Sequence, residues 1–387
     1  MSPNPTALKQ QSQLHAVLKI LQIGNYPPPA CGWAVQTKLL TDEIRRRGCV
    51  CEVLNINESR KIKSAEYVDV QNGVDYVWKL WRYALRGYHF QMNVNGQSKP
   101  GYVLALLALL VGRLVGRPAT LSWRGGLQQK YFPREDSRSI RWFYRQLFRL
   151  AASISCDSAP VKRAIEDYGI RSDRIVAIPP FSKQNLTFSE ASLPENVETF
   201  LHQRHPVFFC YVSFRPEYEL PMLRRAMARF RRDHPRAGFV WLGFPSKEMP
   251  AVNQYVTEWS ADERDGLLLL GNLPHDEFLS LLRRCTAYLR TPMCDGVAAS
   301  ILESLALGTP VVASDNGTRP RGVVTYTNLD EAEMCAKLSL LITQPEQVKE
   351  RTRLDQMDDN IDLTTDWLLG QRSTRRPKCE AELAHVR

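Results

Sequence analysis

Short apolar runs alternate with longer segments of helical spacing along the first half of the chain. The runs are rich in β-branched and aromatic residues and predict strands at 17–23, 50–56, 88–94, 118–123, 153–156 and 174–178. Between the first two runs, the segment 34–48 carries apolar residues at helical spacing and ends on Gly48, a C-terminal cap signal. Strand, glycine-bearing loop, helix and strand make a βαβ unit, so the alternation predicts a doubly wound parallel sheet.

A second alternating series follows residues 183–205, a polar stretch without strong periodicity that we interpret as a linker. Its predicted strands lie at 207–212, 239–243, 267–271, 287–290, 310–314 and 323–326. Because 387 residues exceed what one hydrophobic core usually organises, we expect two Rossmann-like domains, 17–182 and 206–345, facing across a cleft. A helical segment is expected at 346–370, and the ends 1–16 and 371–387 are predicted to be disordered. Ligands of such sheets bind at the carboxyl ends of the strands.

The most apolar run of the chain, residues 101–118, is tested first as a membrane span. It is shorter than the roughly 20 residues that a span requires, and Arg113 and Arg117 interrupt it. We therefore expect a buried crossover helix between two strands of the first domain.

The net charge of +10 is spread unevenly, and one basic stretch interleaves arginine with aromatic residues. Arg138, Arg141, Arg145 and Arg149 share one face of a predicted helix, and Trp142, Phe143, Tyr144 and Phe148 occupy other faces. The stretch is either a patch for anionic lipid or an acidic acceptor, or a solvated basic helix whose aromatic residues are core. It motivates the prediction that the first domain contacts an anionic membrane surface. No nucleic-acid recognition motif accompanies the charge, so no nucleic-acid partner is expected.

The cysteines and the first residues of the chain indicate the cellular compartment in which we expect the protein. Nine cysteines are scattered, without a C-x-x-C pair or a histidine at zinc-ligand spacing, a pattern typical of reduced thiols. Residues 1–16 are polar, and the apolar stretch after them is too short for a signal peptide. We expect a cytoplasmic protein, peripheral at the inner face of the membrane.

The strongest chemical signal lies between residues 290 and 317. A strand ends near Arg290, a loop carries Asp295 and Gly296, and a predicted helix at 298–307 stops before Gly308. Free N–H groups at the start of that helix, with its positive dipole end, form an anion site suited to a diphosphate. Glu303 lies where a carboxylate can accept two hydrogen bonds from a ribose diol, and Asp295 where it can hold sugar hydroxyls. Taken singly, Asp295 could be a helix N-cap and Glu303 a surface helix residue.

Taken together, Asp295, Gly296, Glu303 and the GTPVVAS stretch at 308–314 resemble the E-x7-E signature of family 4 retaining glycosyltransferases. Asp replaces the usual first Glu, and Val297-Ala298 replaces the usual Phe-Gly. The segments 20–56 and 270–290 also resemble the opening of that family's first domain and the strand and helix before its donor loop. The resemblance implies the GT-B fold, an acceptor-side first domain and a donor-binding second domain. Donor contacts are then expected from Gly32, Gly296, Val297, Ala299, Ser300 and Glu303.

Two departures from the family pattern concern the cations expected beside the donor diphosphate. The family's Arg and Lys after the first strand of the second domain are reduced here to Arg215, with Tyr218 where the Lys is expected. The family's His-Gly pair in the first domain is replaced by Arg124-Gly125-Gly126. Arg124 either stabilises developing charge or is a plain surface arginine. The candidate catalytic residues are accordingly Asp295, Arg124 and Arg215, while His275 and His89 are expected to be structural.

The function implied by the resemblance is transfer of a hexose-type sugar with retention of configuration. The donor would be a UDP- or GDP-sugar and the acceptor a glycan or lipid-linked molecule, in polysaccharide or glycoconjugate biosynthesis. The sequence contains no D-x-D pair, and we expect neither a metal nor a cofactor. Dinucleotide, P-loop, zincin and hydrolase motifs are also absent. Two alternatives stay open: a noncatalytic binding protein, and a sugar-nucleotide epimerase or phosphorylase on the same fold.

Overall fold

The computed structural model describes residues 18–28, 32–186, 188–244, 248–352 and 359–370. The predicted disordered ends, 1–16 and 371–387, lie outside these residues. The described chain forms two parallel six-stranded sheets with helices between most consecutive strands, which confirms the predicted α/β class. All predicted strands are present, with ends shifted by a few residues at most.

The first sheet has the strand order β2-β1-β3-β4-β5-β6. Its strands are β1 (Lys19–Gly24), β2 (Val50–Asn55), β3 (His89–Val94), β4 (Thr120–Trp123), β5 (Ile154–Cys156) and β6 (Ile175–Ala177). The connecting helices are α1 (Gly32–Arg46), α2 (Gly73–Leu85), α3 (Lys99–Leu114), α4 (Arg138–Leu150) and α5 (Ala159–Glu166). A short 3-10 helix, Glu58–Lys61, follows β2. The neighbours of β1 are β2 and β3, so the strand order reverses beside β1.

The apolar segment 101–118 forms most of α3, a crossover between β3 and β4. Ala105, Ala108 and Leu109 are fully buried against the sheet, whereas Val103 and Leu114 are exposed. The prediction of a crossover helix is therefore correct, but only one face of the helix is buried. No described helix is long and apolar enough to cross a membrane.

The second sheet has the strand order β12-β11-β10-β7-β8-β9. Its strands are β7 (Val207–Tyr211), β8 (Gly238–Leu242), β9 (Leu267–Leu269), β10 (Ala287–Arg290), β11 (Val311–Ser314) and β12 (Val323–Tyr326). Its helices are α6 (Glu195–Gln203), α7 (Leu220–Asp233), α8 (Met249–Thr257), α9 (Ala261–Asp265), α10 (His275–Arg284), α11 (Ala299–Ala306) and α12 (Glu331–Thr343). The order reverses between β7 and β10, and ligands of doubly wound sheets bind at such a switch point.

One helix lies in the segment 183–205, where the sequence shows no strong periodicity. Helix α6 buries Val197 and Phe200 in the core of the second sheet, so it packs with the second domain. After α12 the chain forms α13 (Pro345–Thr352) and α14 (Asn360–Leu368). Helix α14 packs on α1 of the first domain, where Arg47 pairs with Asp362 at 2.8 Å and with Asp366.

The two domains meet where the loop after β4 faces the loop after β10. The Gly126 amide donates to the carbonyl of Cys294 at 3.2 Å. A Cβ atom at position 126 would overlap the carbonyl oxygen of Asp295, so only glycine allows this approach. The Arg124-Gly125-Gly126 stretch of the first domain therefore lies directly against the candidate donor loop of the second.

Candidate functional site

The candidate site begins at the carboxyl ends of β7 and β10, the switch point of the second sheet. Arg290 is the last residue of β10, and its Nη1 donates to the carbonyl of Tyr211, the last residue of β7, at 3.3 Å. The guanidinium also lies 5.3 Å from the centroid of the Tyr218 ring. Tyr218 thus occupies the position where a family lysine is expected, and its ring packs on an arginine that comes from the neighbouring strand.

Asp295 is held by ion pairs with two buried arginines. Its carboxylate oxygens accept hydrogen bonds from Arg290 Nε at 2.6 Å and Nη2 at 3.0 Å, and Arg319 Nη1 lies 3.7 Å away. The N-cap of α11 is Ala298, so Asp295 is not the helix cap that its sequence position allowed. Any contact between Asp295 and a sugar hydroxyl would have to share a carboxylate that already binds arginine.

The arginine pair gives the site a buried excess of positive charge. Burial opposes ionisation of Arg290, but Asp295 outweighs it and holds the arginine pKa well above its usual value. For Arg319, burial is the larger influence and lowers the pKa despite Asp295. Two guanidinium groups therefore face one carboxylate. Sequence reasoning missed both arginines; the available signals were an arginine as the last residue of a buried strand and another just after Gly317.

Helix α11 starts immediately after this cluster and has no side-chain cap. The N–H groups of its first turn, around Ala299 and Ser300, are therefore free of the capping bond that usually satisfies them. The Ser300 hydroxyl is 2.8 Å from the hydroxyl of buried Tyr288. Gly296, just before the helix, is packed so closely that an added Cβ would lie 3.0 Å from Asp157 Oδ2. The start of α11 therefore has free N–H groups of the kind that can bind an anion.

Val297 points away from the open side of this loop. It is buried with Phe181 and Leu302 in a small apolar cluster that joins the interdomain segment to α11. A donor contact from Val297 would have to come from its backbone.

Glu303 lies one turn into α11 and is 6% exposed, which rules out an ordinary surface role. Its Oε1 is 3.5 Å from Nε2 of His275, the first residue of α10. The hydrogen bond with Glu303 raises the pKa of His275 against the opposing effect of burial. His275, expected to be purely structural, is therefore the partner of the carboxylate that is the candidate ribose ligand.

Arg124 is a paired, largely buried residue and not a plain surface arginine. Its Nη1 is 3.0 Å from Oδ1 of Asp157, while Oδ2 of Asp157 accepts the Gly125 amide at 3.0 Å. Burial raises the Asp157 pKa, and Arg124 counteracts that rise. Because Gly296 also contacts Asp157 and Gly125, the pair lies beside the candidate donor loop.

Two predicted site residues lie apart from this cluster. Arg215 is exposed in the loop after β7, at the start of the short 3-10 helix Pro216–Tyr218. Gly32 is the exposed first residue of α1, and an added Cβ would meet no atom within 4 Å. Within the described residues, no group of three or more His, Cys, Asp or Glu is arranged to hold a metal ion.

Comparison with known proteins bears on the second domain. The sequence profile of the family described as Glycosyl transferases group 1 matches residues 195–351. The matched segment covers 157 of the 387 residues and contains the switch point of the second sheet, the Arg290–Asp295 pair and Glu303. No curated protein matches the chain.

Solved structures resemble the fold along nearly its whole length. Anabaena Alr3699/HepE in complex with UDP-glucose is 13% identical, with a TM-score of 0.64 over 95% of this chain and 100% of that chain. The α,α-trehalose 6-phosphate synthase of Burkholderia multivorans is 12% identical, with a TM-score of 0.65 over 95% and 99% of the two chains. S. aureus MnaA with UDP is 14% identical, with a TM-score of 0.61 over 93% and 99%. At these identities the similarity establishes the two-domain fold.

Proposed function

We propose that the protein transfers a hexose-type sugar from a UDP- or GDP-sugar to a glycan or lipid-linked acceptor with retention of configuration. The observation that carries the proposal is the uncapped start of α11 beside two buried arginines that share one carboxylate. The group 1 match and the fold of proteins solved with UDP or UDP-glucose support the same assignment. The role in polysaccharide or glycoconjugate biosynthesis belongs to the proposal.

The donor would lie along α11. Its diphosphate would accept hydrogen bonds from the amides of Ala299 and Ser300, where the helix dipole is positive. Glu303 follows one turn later on the same helix and has one oxygen near His275. Its carboxylate would accept hydrogen bonds from the two hydroxyl groups of the ribose diol.

Sugar transfer breaks the bond between the anomeric carbon and the diphosphate oxygen, and negative charge accumulates on the leaving phosphate. The free amides of α11 and the net charge of the Arg290–Asp295–Arg319 cluster would stabilise that charge in the transition state. The acceptor hydroxyl supplies the oxygen of the new bond and gives its proton to the leaving diphosphate. Arg124 faces the same loop from the first domain and would stabilise the transferred group, with Arg215 at the outer edge. We propose no metal and no cofactor for this step.

A screen of radiolabelled UDP- and GDP-sugars, with and without a membrane and glycan extract as the acceptor source, tests the proposal. A glycosyltransferase incorporates label only when acceptor is present and releases the nucleoside diphosphate. An epimerase on this fold converts the donor without acceptor, a phosphorylase requires phosphate, and a noncatalytic protein leaves every donor unchanged. Each alternative outcome contradicts the proposal.

The first domain carries an exposed apolar layer that favours contact with an anionic membrane. Trp78 on α2 is 55% exposed, Leu114 on α3 is 72% exposed and Trp142 on α4 is 56% exposed. Hydrogen bonds from Tyr76 to Leu104 and from Tyr102 to Phe143 join the three helices side by side. Aromatic residues and arginine on one surface suit a lipid interface. We infer peripheral attachment through this layer, at the inner face of the cytoplasmic membrane.

The aromatic residues of α4 divide between the two roles that the sequence left open. Tyr144 and Phe148 are buried in the first core, while Trp142 and Phe143 are exposed. Arg141 donates to the Asp167 carbonyl at 2.5 Å and lies over the Tyr168 ring, so it is held against the protein. The exposed aromatic residues, more than Arg141, are therefore the groups available to a membrane.

A further inference from the structure

The first domain contains a cavity of about 550 Å³ at the carboxyl ends of β1, β2 and β3. It lies where the strand order reverses beside β1, the switch point of this sheet. Other lining residues come from the loops after the three strands and from the first turns of α1, α2 and α3. Trp33, at the start of α1, contributes an aromatic wall. The position and size suit a ligand of one or two sugar rings.

The lining of this cavity combines apolar with polar residues, and its charged residues are all positive. Asn25 follows β1, Asn93 lies in β3 and Asn95 follows β3. Gln71 and Asn72 add side-chain amides near the start of α2, and Ser98 adds a hydroxyl at the start of α3. Arg60 and Lys61 are the charged groups of the lining, which includes no aspartate or glutamate. Side-chain amides of this kind form hydrogen bonds with hydroxyl-rich ligands. The charge of the two cations is balanced either by an acidic group of the ligand or by anions from solution.

Arg60 and Lys61 belong to the 3-10 helix Glu58–Lys61, and both are exposed. Within the described residues, neither forms an ion pair. Glu58 belongs to the same 3-10 helix but not to the cavity lining, and Asp69 and Asp75 pair with Lys79 at 3.3 and 2.8 Å. The lining itself therefore carries a net positive charge.

Helix starts add to the same potential. Asn72 caps α2 and Ser98 caps α3, and both capping residues line the cavity. The positive ends of two long helices thus point toward the ligand space.

Asn93 presents a fixed donor in the cavity wall. It is 8% exposed, and its Oδ1 accepts a hydrogen bond from Gln91 Nε2 at 3.2 Å, which leaves Nδ2 as the free end of the amide. A Cβ atom at position 24 would be 2.6 Å from Nδ2, so Gly24 is what allows the side chain this orientation. Asn93 therefore offers an amide donor to a ligand oxygen in a cavity whose lining also contains Arg60 and Lys61.

We propose that this cavity binds an acceptor in which a sugar-like ring carries a phosphate group. The phosphate lies against Arg60 and Lys61 and the two helix starts, the ring hydroxyls against the asparagines, and the apolar face of the ring against Trp33. This inference rests on the proposed function, because it assigns the cavity to the acceptor. A soluble sugar phosphate and a lipid-linked sugar phosphate share this chemistry. For a lipid-linked sugar phosphate, the exposed Val74 at the start of α2 gives the lipid chain an apolar path toward the exposed apolar layer.

Isothermal titration of the full-length protein, saturated with UDP to occupy the donor site, tests the inference. The probes are glucose, inorganic phosphate, glucose 1-phosphate and the decyl phosphodiester of glucose. We expect glucose 1-phosphate to bind at least about 10-fold more tightly than glucose, since charge-assisted hydrogen bonds supply that difference. Tighter binding of the decyl diester than of glucose 1-phosphate identifies a lipid-linked source, and the reverse identifies a soluble one. Hydrogen exchange localises the contact: the phosphate-containing probes should protect residues 58–73.

Two double variants separate the effect of the cavity charge on phosphate binding from the effect of charge elsewhere on the domain. Arg60→Gln/Lys61→Gln should lower affinity for glucose 1-phosphate and inorganic phosphate about 10-fold or more and leave glucose and UDP unchanged. Arg86→Gln/Arg113→Gln removes the same charge at the opposite ends of α2 and α3 and should change nothing. Equal binding of glucose and glucose 1-phosphate, or loss of phosphate binding in both double variants, overturns the inference. Failure of UDP to bind the wild-type protein is a separate result that contradicts the proposed function.

Discussion

The Nε2 atom of His275 lies 3.5 Å from Oε1 of Glu303, so the first residue of α10 is bonded to the carboxylate inside α11. The pairing gives Glu303 a fixed direction in the absence of any donor. The same contact raises the pKa of His275 and links this histidine to the residue expected to bind ribose.

The first prediction is a pH dependence of stability that originates at His275. Glu303 raises the folded-state pKa of His275, so its stabilising contribution is fully present below the unfolded pKa and is lost as pH rises through the folded value. Wild type should exceed His275→Gln in unfolding free energy by roughly 0.5 kcal/mol near pH 6, allowing for the exposure of the ring. Denaturant unfolding between about pH 6 and pH 9 should show the difference vanish at the alkaline end. A difference that is constant or grows with pH contradicts the pairing.

The second prediction concerns the carboxylate between two arginines. Asp295→Asn leaves Arg290 and Arg319 buried without a counter-charge and should cost about 3–5 kcal/mol of unfolding free energy. The matched control is Asp173→Asn, which removes a carboxylate from the exposed pair with Arg171 and should cost less than about 1 kcal/mol. Urea denaturation followed by circular dichroism measures both. Equal costs in the two variants would show that the Asp295 cluster is not a buried ion network.

The third prediction addresses the contact between the domains. Gly126→Ala places a methyl group on the Asp295 carbonyl oxygen, so the donor loop and the Arg124 loop must separate. We expect at least about a 10-fold loss of transfer rate with both domains folded, because misplacement of reacting groups by about 1 Å is costly. Gly271→Ala, where the added methyl group meets only the Phe244 carbonyl at 3.7 Å, is the control. Unchanged activity in Gly126→Ala would show that this closed arrangement is not the active one.

The fourth prediction tests whether the exposed apolar layer of α2, α3 and α4 binds a membrane. Trp142→Ala/Phe143→Ala should reduce co-sedimentation with vesicles rich in anionic lipid, by about 10-fold if both rings enter the interface. Leu329→Ala removes an exposed apolar side chain from the second domain and should leave binding unchanged. Vesicle binding that is equal in wild type and the double variant would contradict attachment through this surface.

Much of the fold was predictable because the central parallel strands are buried on both faces and read as continuous apolar runs, as in Phe208, Phe209 and Cys210 of β7. The candidate donor loop could be proposed from the sequence because Gly296, the helix start and Glu303 lie close together in it. The charge cluster was not, since Arg290 and Arg319 meet Asp295 only after β10 and β11 pair side by side. The docking of helix α14 on the first domain was likewise not predictable, because it depends on Arg47, which is distant in sequence.

The sequence has fewer cations than the family pattern places beside the donor diphosphate. This difference affects how a donor could be bound. Tyr218 replaces a lysine, yet its ring packs on Arg290, whose guanidinium comes from the adjacent strand. Positive charge is therefore present at the switch point although the local motif has lost it. We expect this redistribution to preserve affinity for a nucleoside diphosphate.

Isothermal titration with UDP and GDP is the measurement that tests the central claim most directly, a nucleoside-diphosphate site on α11. We predict micromolar binding of one of the two nucleotides to wild type, with about a 10- to 100-fold loss in Glu303→Ala and no loss in the exposed control Glu258→Ala. Absence of binding by both nucleotides, or equal affinity of wild type and Glu303→Ala, would contradict the assignment of this helix to the donor.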